Sequence, residues 1–309
     1  MNRVTVVIAT RNRAGELLRT VARLRALPER PPVIVVDNGS TDGTPERVAH
    51  AFPDVRVLKP GRNLGAVARN LGVSAAATPY VAFADDDSWW ADGALARAQE
   101  LLDAHPRLAL IAARALVGPG NRLDPMCAFM AVAPIDRAED LPGPSVLGFL
   151  ACATVVRREA YLSVGGFDPV VFFMGEEERL AYDLAAAGWG LAYCPEVVAH
   201  HHPQAAAGDR PGKRMLAARN RALTAWMRRP MRVALAETRP LLRGATADAA
   251  GRSALAQFVA RLPAALRGRR APDPTVEAAL ARLDAAQARH GYPPHPTVIG
   301  GAVGPGAGG

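Results

Sequence analysis

The sequence predicts an α/β fold in which a mostly parallel, Rossmann-like sheet carries helices on both faces and is followed by an α-helical C-terminal extension. Two observations support this fold class. Apolar runs rich in β-branched residues alternate with segments of helical spacing through the first half of the chain. Beyond His202 the strand-like runs stop, and Ala- and Arg-rich helical segments separated by prolines and glycines replace them.

Five apolar runs predict strands in the first half, and their near-continuous apolar character indicates that both faces of the sheet are covered. The predicted strands are residues 4–9, 33–36, 55–58, 80–83 and 108–112. Leucines and valines at helical spacing between positions 17 and 27 predict the first helix, and an Ala-rich stretch predicts another helix over 64–76.

The second half begins with an irregular region, residues 119–148, whose prolines and glycines predict long loops that cover a site. Regular structure resumes at 151–157, and a Gly-Gly-Phe-Asp turn precedes a helix over 176–187. A strand-like run follows at 197–199. Four further helices are predicted at 212–229, 231–243, 248–267 and 274–290.

Length and composition indicate how the chain is divided. It has 309 residues, half of them apolar, which is enough for a sizeable core. We predict a main domain over 1–205, a basic helical extension over 206–290 and a disordered Gly- and Pro-rich tail over 291–309.

The net charge of +8 is concentrated in the C-terminal third. From Ala206 onward there are 17 Lys and Arg against 6 Asp and Glu, or +11, whereas residues 1–205 carry −3. Two interpretations are open: peripheral contact with an anionic membrane surface, or ordinary arginine use on solvated helices. Nucleic acid is not an expected partner, because no aromatic residues interleave these arginines as stacking platforms.

Cysteine use predicts a cytoplasmic protein, or one peripheral on the cytoplasmic face of the membrane. Cys127, Cys152 and Cys194 show no metal-ligand spacing, and their odd number does not describe a disulfide framework. No signal segment is recognisable at the N-terminus, and no stretch reaches the ~18 apolar residues of a membrane span.

Three carboxylates, Asp85, Asp86 and Asp87, follow the predicted strand at 80–83 directly. Like charges this close repel one another, and a divalent metal with oxygen ligands is the usual remedy. Because alternate residues of an extended segment point the same way, Asp85 and Asp87 are placed to address one ion while Asp86 faces another group. The alternative is a solvated Asp-rich turn.

Polar clusters also follow the first two strands, at residues 10–13 and 37–43. The carboxyl ends of parallel strands are where ligands bind, so we expect one shared crevice. Asn63, Arg69 and Asn70 lie near the start of the helix over 64–76, where free N–H groups favour anionic or heterocyclic ligands. Ordinary turns and helix caps are the alternative for each cluster.

Together these motifs resemble the family 2 glycosyltransferases, which have the GT-A fold. The motifs are VIATRNR at 7–13, VVDNGSTDGT at 35–44, NLG at 63–65 with ARNLG at 68–72, and the acidic triplet. Their order and spacing agree across residues 4–90, and later motifs extend the match to about residue 203. Four ordered motifs are far more specific than any one of them.

The resemblance implies a transferase that uses a nucleotide-diphosphate sugar, depends on Mg²⁺ or Mn²⁺ and inverts the anomeric centre. It implies that Asp37 and Arg69 lie beside the nucleobase and Asp86 beside the ribose. Asp85 and Asp87 would bracket the metal, which stabilises charge on the leaving phosphate. The other nucleotide-binding candidates are Thr10, Arg11, Asn12, Arg13, Asn38 and Asn63.

The incoming acceptor hydroxyl needs a general base, and the carboxylates that open the helix over 176–187 are the candidates. In the family a Gly-Glu-Asp-x-Asp-Leu segment follows the Gly-Gly-Phe-Asp turn, and Glu177 takes the place of the usual base aspartate, with Glu176 the alternative. Arg179 replaces the second aspartate, a departure from the family pattern at the acceptor side. The alternative is a structural role, because the helix dipole favours acidic residues in the first turn of a helix.

Histidines 200–202 follow the run at 197–199, and the resemblance implies that one of them approaches the diphosphate and metal. We take His200 as the candidate ligand, against a surface run without function. Trp89 and Trp90 are candidates for stacking on a sugar ring or for packing beneath the site.

We therefore expect a transferase acting in polysaccharide biosynthesis on a glycan, lipid-linked or small-molecule acceptor. Two alternatives are a sugar nucleotidyltransferase and a noncatalytic nucleotide- or carbohydrate-binding module. The nucleotidyltransferase should carry a Gly-rich basic loop after the first strand, yet no glycine occurs before Gly15. The acidic triplet and the two candidate bases argue against a module without turnover, whereas Arg179 argues mildly for it.

Overall fold

The structure, a computed structural model, describes residues 3–203 and 211–290. Its β-branched apolar runs form one nine-stranded sheet within these ranges. The strands are β1 (Val4–Thr10), β2 (Val33–Asp37), β3 (Arg56–Leu58), β4 (Tyr80–Ala84), β5 (Ser88–Trp90), β6 (Leu108–Val117), β7 (Arg122–Leu123), β8 (Thr154–Arg157) and β9 (Gly190–His201). The predicted tail over 291–309 lies outside the described residues.

Helices cover the sheet and continue into the C-terminal part. They are α1 (Ala14–Ala26), α2 (Thr44–Ala51), α3 (Ala68–Ala75), α4 (Ala94–Ala104), α5 (Pro125–Ala131), α6 (Arg158–Ser163), α7 (Glu176–Ala186), α8 (Pro211–Arg228), α9 (Met231–Ala247), α10 (Ala249–Arg267) and α11 (Pro274–His290). Two short 3₁₀ helices, Gly65–Val67 and Ala151–Ala153, precede α3 and β8.

The sheet order is β3-β2-β1-β4-β8-β6-β9-β5, with β7 paired to β6. Strands β1, β2, β3, β4, β6 and β9 run in one direction, and β5, β7 and β8 run in the other. The predicted fold class, a mostly parallel sheet covered by helices with a helical C-terminal part, is confirmed. Because β1 lies between β2 and β4, the polar segments after these three strands meet at one edge of the sheet.

Some elements differ from the prediction. Strand β9 is much longer than the predicted run at 197–199, and it stays paired with β6 through two register shifts. The short helix α5 lies within the region predicted to be irregular. Helix α9 ends at Ala247, four residues beyond the predicted end at 243.

The apolar interior consists of two clusters. The larger one surrounds the sheet and includes Leu280 of α11. The smaller one is built from α8, α9 and α10, with Leu223, Leu241 and Phe258 at its centre, and Val171 from the segment before α7 belongs to it. Residues on both sides of the predicted division at 205/206 therefore share both clusters, and the division stays a prediction.

Several C-terminal arginines point inward and hold the helices in place. Arg219 and Arg228 are 2% and 8% exposed, and Arg228 pairs with Asp183 on α7. Arg229 pairs with Glu277 on α11 at 2.6 Å. Part of the basic excess thus neutralises buried carboxylates, so net charge alone is weak evidence for membrane contact, which stays a prediction. Within the described ranges, the structure contains no helix with the length and apolar character needed to cross a bilayer.

Candidate functional site

The carboxyl ends of β1 and β2 bring Thr10 and Asp37 side by side, as partners in the parallel ladder. Asp37 is 4% exposed, and its Oδ2 accepts hydrogen bonds from the backbone N–H groups of Gly39 and Ser40 at 3.2 and 3.0 Å. The buried Oδ1 has no hydrogen-bond partner among the described residues. A buried carboxylate oxygen left in this state is a ready acceptor for a ligand N–H group.

The loops after β1 and β2 hold each other in place. Asn12, with a left-handed φ of 54°, donates its backbone N–H to Ser40 Oγ at 2.9 Å and accepts from the Thr41 N–H at 2.7 Å. Asn38 accepts from the Leu64 N–H at 3.0 Å. The predicted nucleotide residues Asn12 and Asn38 therefore order the backbone around the cleft.

Two other asparagines also act on the backbone. The side-chain oxygen of Asn63 accepts from the Gly65 N–H at 2.9 Å. Asn70 donates to the Phe167 carbonyl at 2.9 Å and accepts from the Phe167 N–H at 3.0 Å, so it fixes the Gly-Gly-Phe-Asp turn. Both contacts fit the cap and turn interpretation that the sequence left open.

Arg13 joins two members of the acidic triplet. Its guanidinium forms an ion pair with Asp86 at 2.8 Å and donates a hydrogen bond to Asp87 at 2.9 Å, and Thr10 donates to Asp86 at 3.0 Å. Burial, reinforced by Asp85 and Asp87, raises the pKa of Asp86 to about 7, although Arg13 opposes this shift. Asp86 and Asp87 thus share Arg13, and separate roles for Asp86 and its two neighbours stay a prediction.

Arg69 forms an ion pair with Asp85. Gly72 lets α3 lie directly on β1, because a Cβ at this position would be 2.3 Å from a Val7 methyl group, and Arg69 is buried there at 6% exposure. The charges of Glu176 and Glu177 act on the same guanidinium. The structure thus connects Arg69 to Asp85 and to the candidate bases, whereas the resemblance placed it beside the nucleobase.

Glu176 and Glu177 begin α7 and are 3% and 5% exposed. Burial and the neighbouring Glu177 raise the pKa of Glu176 well above its ordinary value, and Arg69 opposes the shift. The segment before α7 is unusual, because Phe172 and Met174 have φ values of 71° and 68°. Such conformations persist only when surrounding contacts fix them.

Contacts from both parts of the chain fix this segment. The Phe172 carbonyl accepts from the Ala66 N–H at 2.7 Å. From α8, the Asn220 side chain donates to the carbonyls of Phe173 and Met174. Farther back, Arg261 of α10 donates to the Val170 carbonyl at 3.0 Å. The C-terminal helices therefore hold the backbone that leads into the candidate bases.

The departure at Arg179 has a structural explanation. Arg179 is 7% exposed, forms an ion pair with Asp168 of the Gly-Gly-Phe-Asp turn at 2.9 Å, and forms another with Asp183 one turn along α7. Asp183 also receives Arg228 from α8. Arg179 therefore connects the Gly-Gly-Phe-Asp turn to α7, and Asp183 extends these buried ion pairs to α8.

Of the three histidines, His201 lies against the acidic triplet, with its Nε2 3.5 Å from Asp87. Burial lowers the pKa of His201, but Cys152 and Asp87 outweigh burial and raise it to about 11. His200 instead stacks on Trp89 and lies 3.1 Å from Asn121 Oδ1. Since side chains alternate along β9, the histidine that faces the acidic triplet is His201, and the choice of His200 as the candidate ligand is corrected.

The two tryptophans of β5 also point to opposite faces. Trp90 is 1% exposed and belongs to the sheet core, so its predicted sugar contact is wrong. Trp89 packs between elements, with the Arg23 guanidinium 3.6 Å from its ring centroid and His202 at 4.6 Å between centroids. A sugar contact for Trp89 stays a prediction.

One side chain that sequence spacing did not indicate joins the site. The ligand atoms of Asp85, Cys152 and His201 all lie within 4.8 Å of one another. The carboxylate and the imidazole suit the Mg²⁺ or Mn²⁺ that the family resemblance implies, whereas a thiolate favours softer ions. No motif or spacing indicated Cys152, which comes from the 3₁₀ helix before β8.

Among the described residues, the structure contains two cavities that bear on function. The first, of about 510 Å³, opens over the strand ends and is lined by Ala9, Thr10, Arg11, Arg13, Asn38, Asn63, Gly65, Arg69, Asp85, Asp86, Asp87, Phe172, Phe173, His201 and Lys213. The second, of about 610 Å³, lies between α5, α7 and the C-terminal helices. Apolar residues such as Met130 and Leu280 line it together with Glu178, Tyr182 and Arg232.

A match to the Glycosyl transferase family 2 model covers residues 5–165, which is more than half of the chain and includes every motif up to the acidic triplet. The chain belongs to glycosyl transferase family 2. This membership confirms the predicted family and the prediction that the protein is a glycosyltransferase enzyme. The match ends before α7, so the roles of Glu176 and Glu177 stay predictions.

Two family 2 relatives come from Mycobacterium tuberculosis. An N-acetylglucosaminyl-diphospho-decaprenol L-rhamnosyltransferase is 31% identical over 251 residues, which cover 69% of this chain and 80% of the relative. A pre-mycofactocin glycosyltransferase is 37% identical over 210 residues, 64% of this chain and 43% of the relative.

Solved structures of glycosyltransferases share the fold. The mannosyltransferase PcManGT from Pyrobaculum calidifontis, in complex with GDP-Man and Mn²⁺, aligns over 93% of this chain and 81% of its own, with a TM-score of 0.55 and 25% identity. GalNAc-T7 with UDP, GalNAc and Mn²⁺ aligns over 73% of this chain and 48% of its own, with a TM-score of 0.54. At 15% identity, the second likeness concerns the fold alone.

Proposed function

We propose that this glycosyltransferase moves a sugar from a nucleoside-diphosphate donor to an acceptor hydroxyl, with inversion and with the help of a divalent metal. The observation that carries the proposal is the unpartnered, buried Oδ1 of Asp37 at the end of β2, on the same edge of the sheet as the acidic triplet after β4, with β1 between them. The PcManGT complex with GDP-Man and Mn²⁺ supports the donor class and the metal.

Each group at the cleft has a proposed role. Asp37 Oδ1 accepts an N–H group of the nucleobase, and Asp86, held by Thr10 and Arg13, faces the ribose. Asp85, Asp87 and His201 are placed to hold Mg²⁺ or Mn²⁺. When bound, the metal stabilises the negative charge that develops on the leaving diphosphate.

Glu177 is the proposed general base for the acceptor hydroxyl. Its place in the chain supports this role, because Glu177 stands where the family has its usual base aspartate, and Glu176 is the alternative. The positive charge of Arg69 offsets the negative charges of buried Glu176 and Glu177. Arg69 also forms an ion pair with Asp85, so the proposed base and a proposed metal ligand interact with one side chain.

A thermal-shift screen with UDP, GDP, dTDP and CMP, each with and without Mn²⁺, tests the proposal. Metal-dependent stabilisation by one nucleoside diphosphate is expected, amounting to about 2.7 kcal/mol at 100-fold excess over Kd. Asp37→Asn should lose this shift, whereas the exposed control Asp54→Asn should keep it. No shift with any nucleotide at millimolar concentration would contradict nucleotide-sugar chemistry.

We propose a lipid-linked acceptor for the same site. The relative that acts on a decaprenol-linked diphosphosugar supports this class, and the second cavity offers apolar walls and arginines beside α7. The test compares sugar transfer to a prenyl-diphosphate-linked N-acetylglucosamine with transfer to free N-acetylglucosamine. Faster transfer to the prenylated acceptor is expected, and equal rates would contradict the proposal.

A further inference from the structure

We propose that Cys152 is a direct ligand of the divalent cation at the acidic triplet, together with Asp85 and His201. The thiolate shifts the preference of the site from Mg²⁺ toward thiophilic divalent ions. This inference rests on the metal site of the proposed function and adds to it a sulfur ligand and a metal selectivity.

The first argument is the distance between the ligand atoms. The carboxylate, thiol and imidazole atoms lie within 4.8 Å of one another without an ion between them. Metal bonds of about 2.0–2.3 Å place ligand atoms on opposite sides of one ion roughly 4.0–4.6 Å apart. Small side-chain movements therefore suffice to bring all three atoms into one coordination sphere.

The second argument is the way in which the three ligands are supported. Ser88 is fully buried and pairs with His201 across the β5–β9 ladder. Its Oγ accepts from the Asp85 N–H at 2.7 Å and donates to the Cys152 carbonyl at 3.3 Å. Ser88 thus links all three elements, Asp85 and Cys152 through its side chain and His201 through strand pairing, and such outer contacts orient metal ligands.

The other two cysteines have no comparable surroundings. Cys127 on α5 accepts at Sγ from the Ala115 N–H of β6 at 3.2 Å, and Cys194 Sγ within β9 faces the Ala192 carbonyl at 3.9 Å. Cys152 faces Asp85 and His201 instead. Thiolates select ions such as Zn²⁺ and Co²⁺, whereas Mg²⁺ prefers sites made of oxygen atoms.

Titration of the purified protein with Co²⁺ tests the inference, because only a thiolate ligand produces the near-ultraviolet sulfur-to-cobalt charge-transfer band. We expect the band in the wild-type protein and in Cys127→Ser, and its loss in Cys152→Ser. Affinity for Co²⁺, measured by equilibrium dialysis, should fall at least about tenfold in Cys152→Ser, since even outer-contact changes cost about 10–100-fold. Affinity for Mg²⁺ should change far less.

Three results would overturn the inference: Co²⁺ binding without the band, a band that survives in Cys152→Ser, or no Co²⁺ binding by the wild type. Circular dichroism of Cys152→Ser checks that the variant is folded, and Ser88→Ala, which keeps all three ligands, should weaken the band rather than abolish it. Sugar transfer with Mn²⁺ but without the cobalt band would leave the proposed function standing. The band without nucleotide-dependent stabilisation would instead contradict the function and support the sulfur ligand.

Discussion

Arg69 on α3 forms an ion pair with Asp85 at the end of β4, and its guanidinium also feels the charges of the glutamates that begin α7. Asp85, a candidate metal ligand, and Glu177, the candidate base, therefore interact with the same buried guanidinium. A change at Arg69 should affect stability and both ends of the site together.

Replacing Arg69 with Met should strongly destabilise the fold. The substitution leaves Asp85 and Glu176 without their buried cation, and breaking a buried pair costs about 3–5 kcal/mol. Urea unfolding with a metal chelator present measures the effect. Arg97→Met, which removes an exposed arginine paired with Glu100, should cost no more than about 1 kcal/mol; equal losses for both variants would contradict the prediction.

Glu177→Gln should lower turnover by about 10²–10⁴-fold, because the amide cannot take the proton of the acceptor hydroxyl. Donor binding, measured by thermal shift, should persist. The control is Glu100→Gln, an exposed glutamate on α4 that pairs with Arg97 away from both cavities. A larger loss in Glu176→Gln than in Glu177→Gln would transfer the role of base to Glu176.

Arg179→Asp restores the family pattern yet should destabilise this protein by about 3–5 kcal/mol. The change leaves Asp168 without its partner, and it places a second carboxylate beside Asp183. Chemical unfolding provides the measurement, with Arg179→Lys as a milder variant that keeps the charge. Wild-type stability in Arg179→Asp would show that the buried network is dispensable.

Glu237 on α9 should make stability depend on pH. Burial raises the pKa of Glu237 above its ordinary value of 4.5, although Arg221 opposes the shift. Because the folded state binds this proton more tightly than the unfolded state, the contribution is present below pH 4.5 and is lost as pH rises through the folded pKa. Glu237→Gln should therefore gain stability relative to wild type from pH 4.5 upward.

Unfolding free energies of wild type and Glu237→Gln at pH 4.5 and pH 8 check this sign. Glu46→Gln is the control, because a hydrogen bond from Lys59 lowers the pKa of Glu46. This variant should therefore lose stability relative to wild type as the pH rises, whereas Glu237→Gln gains it. A constant difference between wild type and Glu237→Gln across this pH range would contradict the prediction.

The sequence predicted best those site residues whose position depends only on the neighbouring strand. Asp37 and the acidic triplet follow apolar strands directly, so the parallel sheet brings them to one edge whatever the rest of the chain does. The assignments that changed depend on which way a strand faces. Alternation in β5 and β9 buries Trp90 and directs His201, rather than His200, toward Asp87.

Long-range partners were beyond sequence reasoning. Nothing near Cys152 indicates that it meets Asp85 and His201, because the meeting depends on β8 entering the sheet beside β4. Arg179 departs from the family pattern, yet Arg228, which shares its partner Asp183, lies on a helix whose docking no motif predicted. The helical extension itself was predicted correctly from its spacing and its prolines.

The hydrogen bonds that Asn220 and Arg261 donate to carbonyls before α7 limit how this enzyme can be recombined with its relatives. A chimera that exchanges only the C-terminal helices would also remove the backbone restraints on Phe172 and Met174. The proposed acceptor cavity and the proposed base therefore depend on the same set of contacts. Grafting experiments should move the segment before α7 and α8–α10 as a single unit.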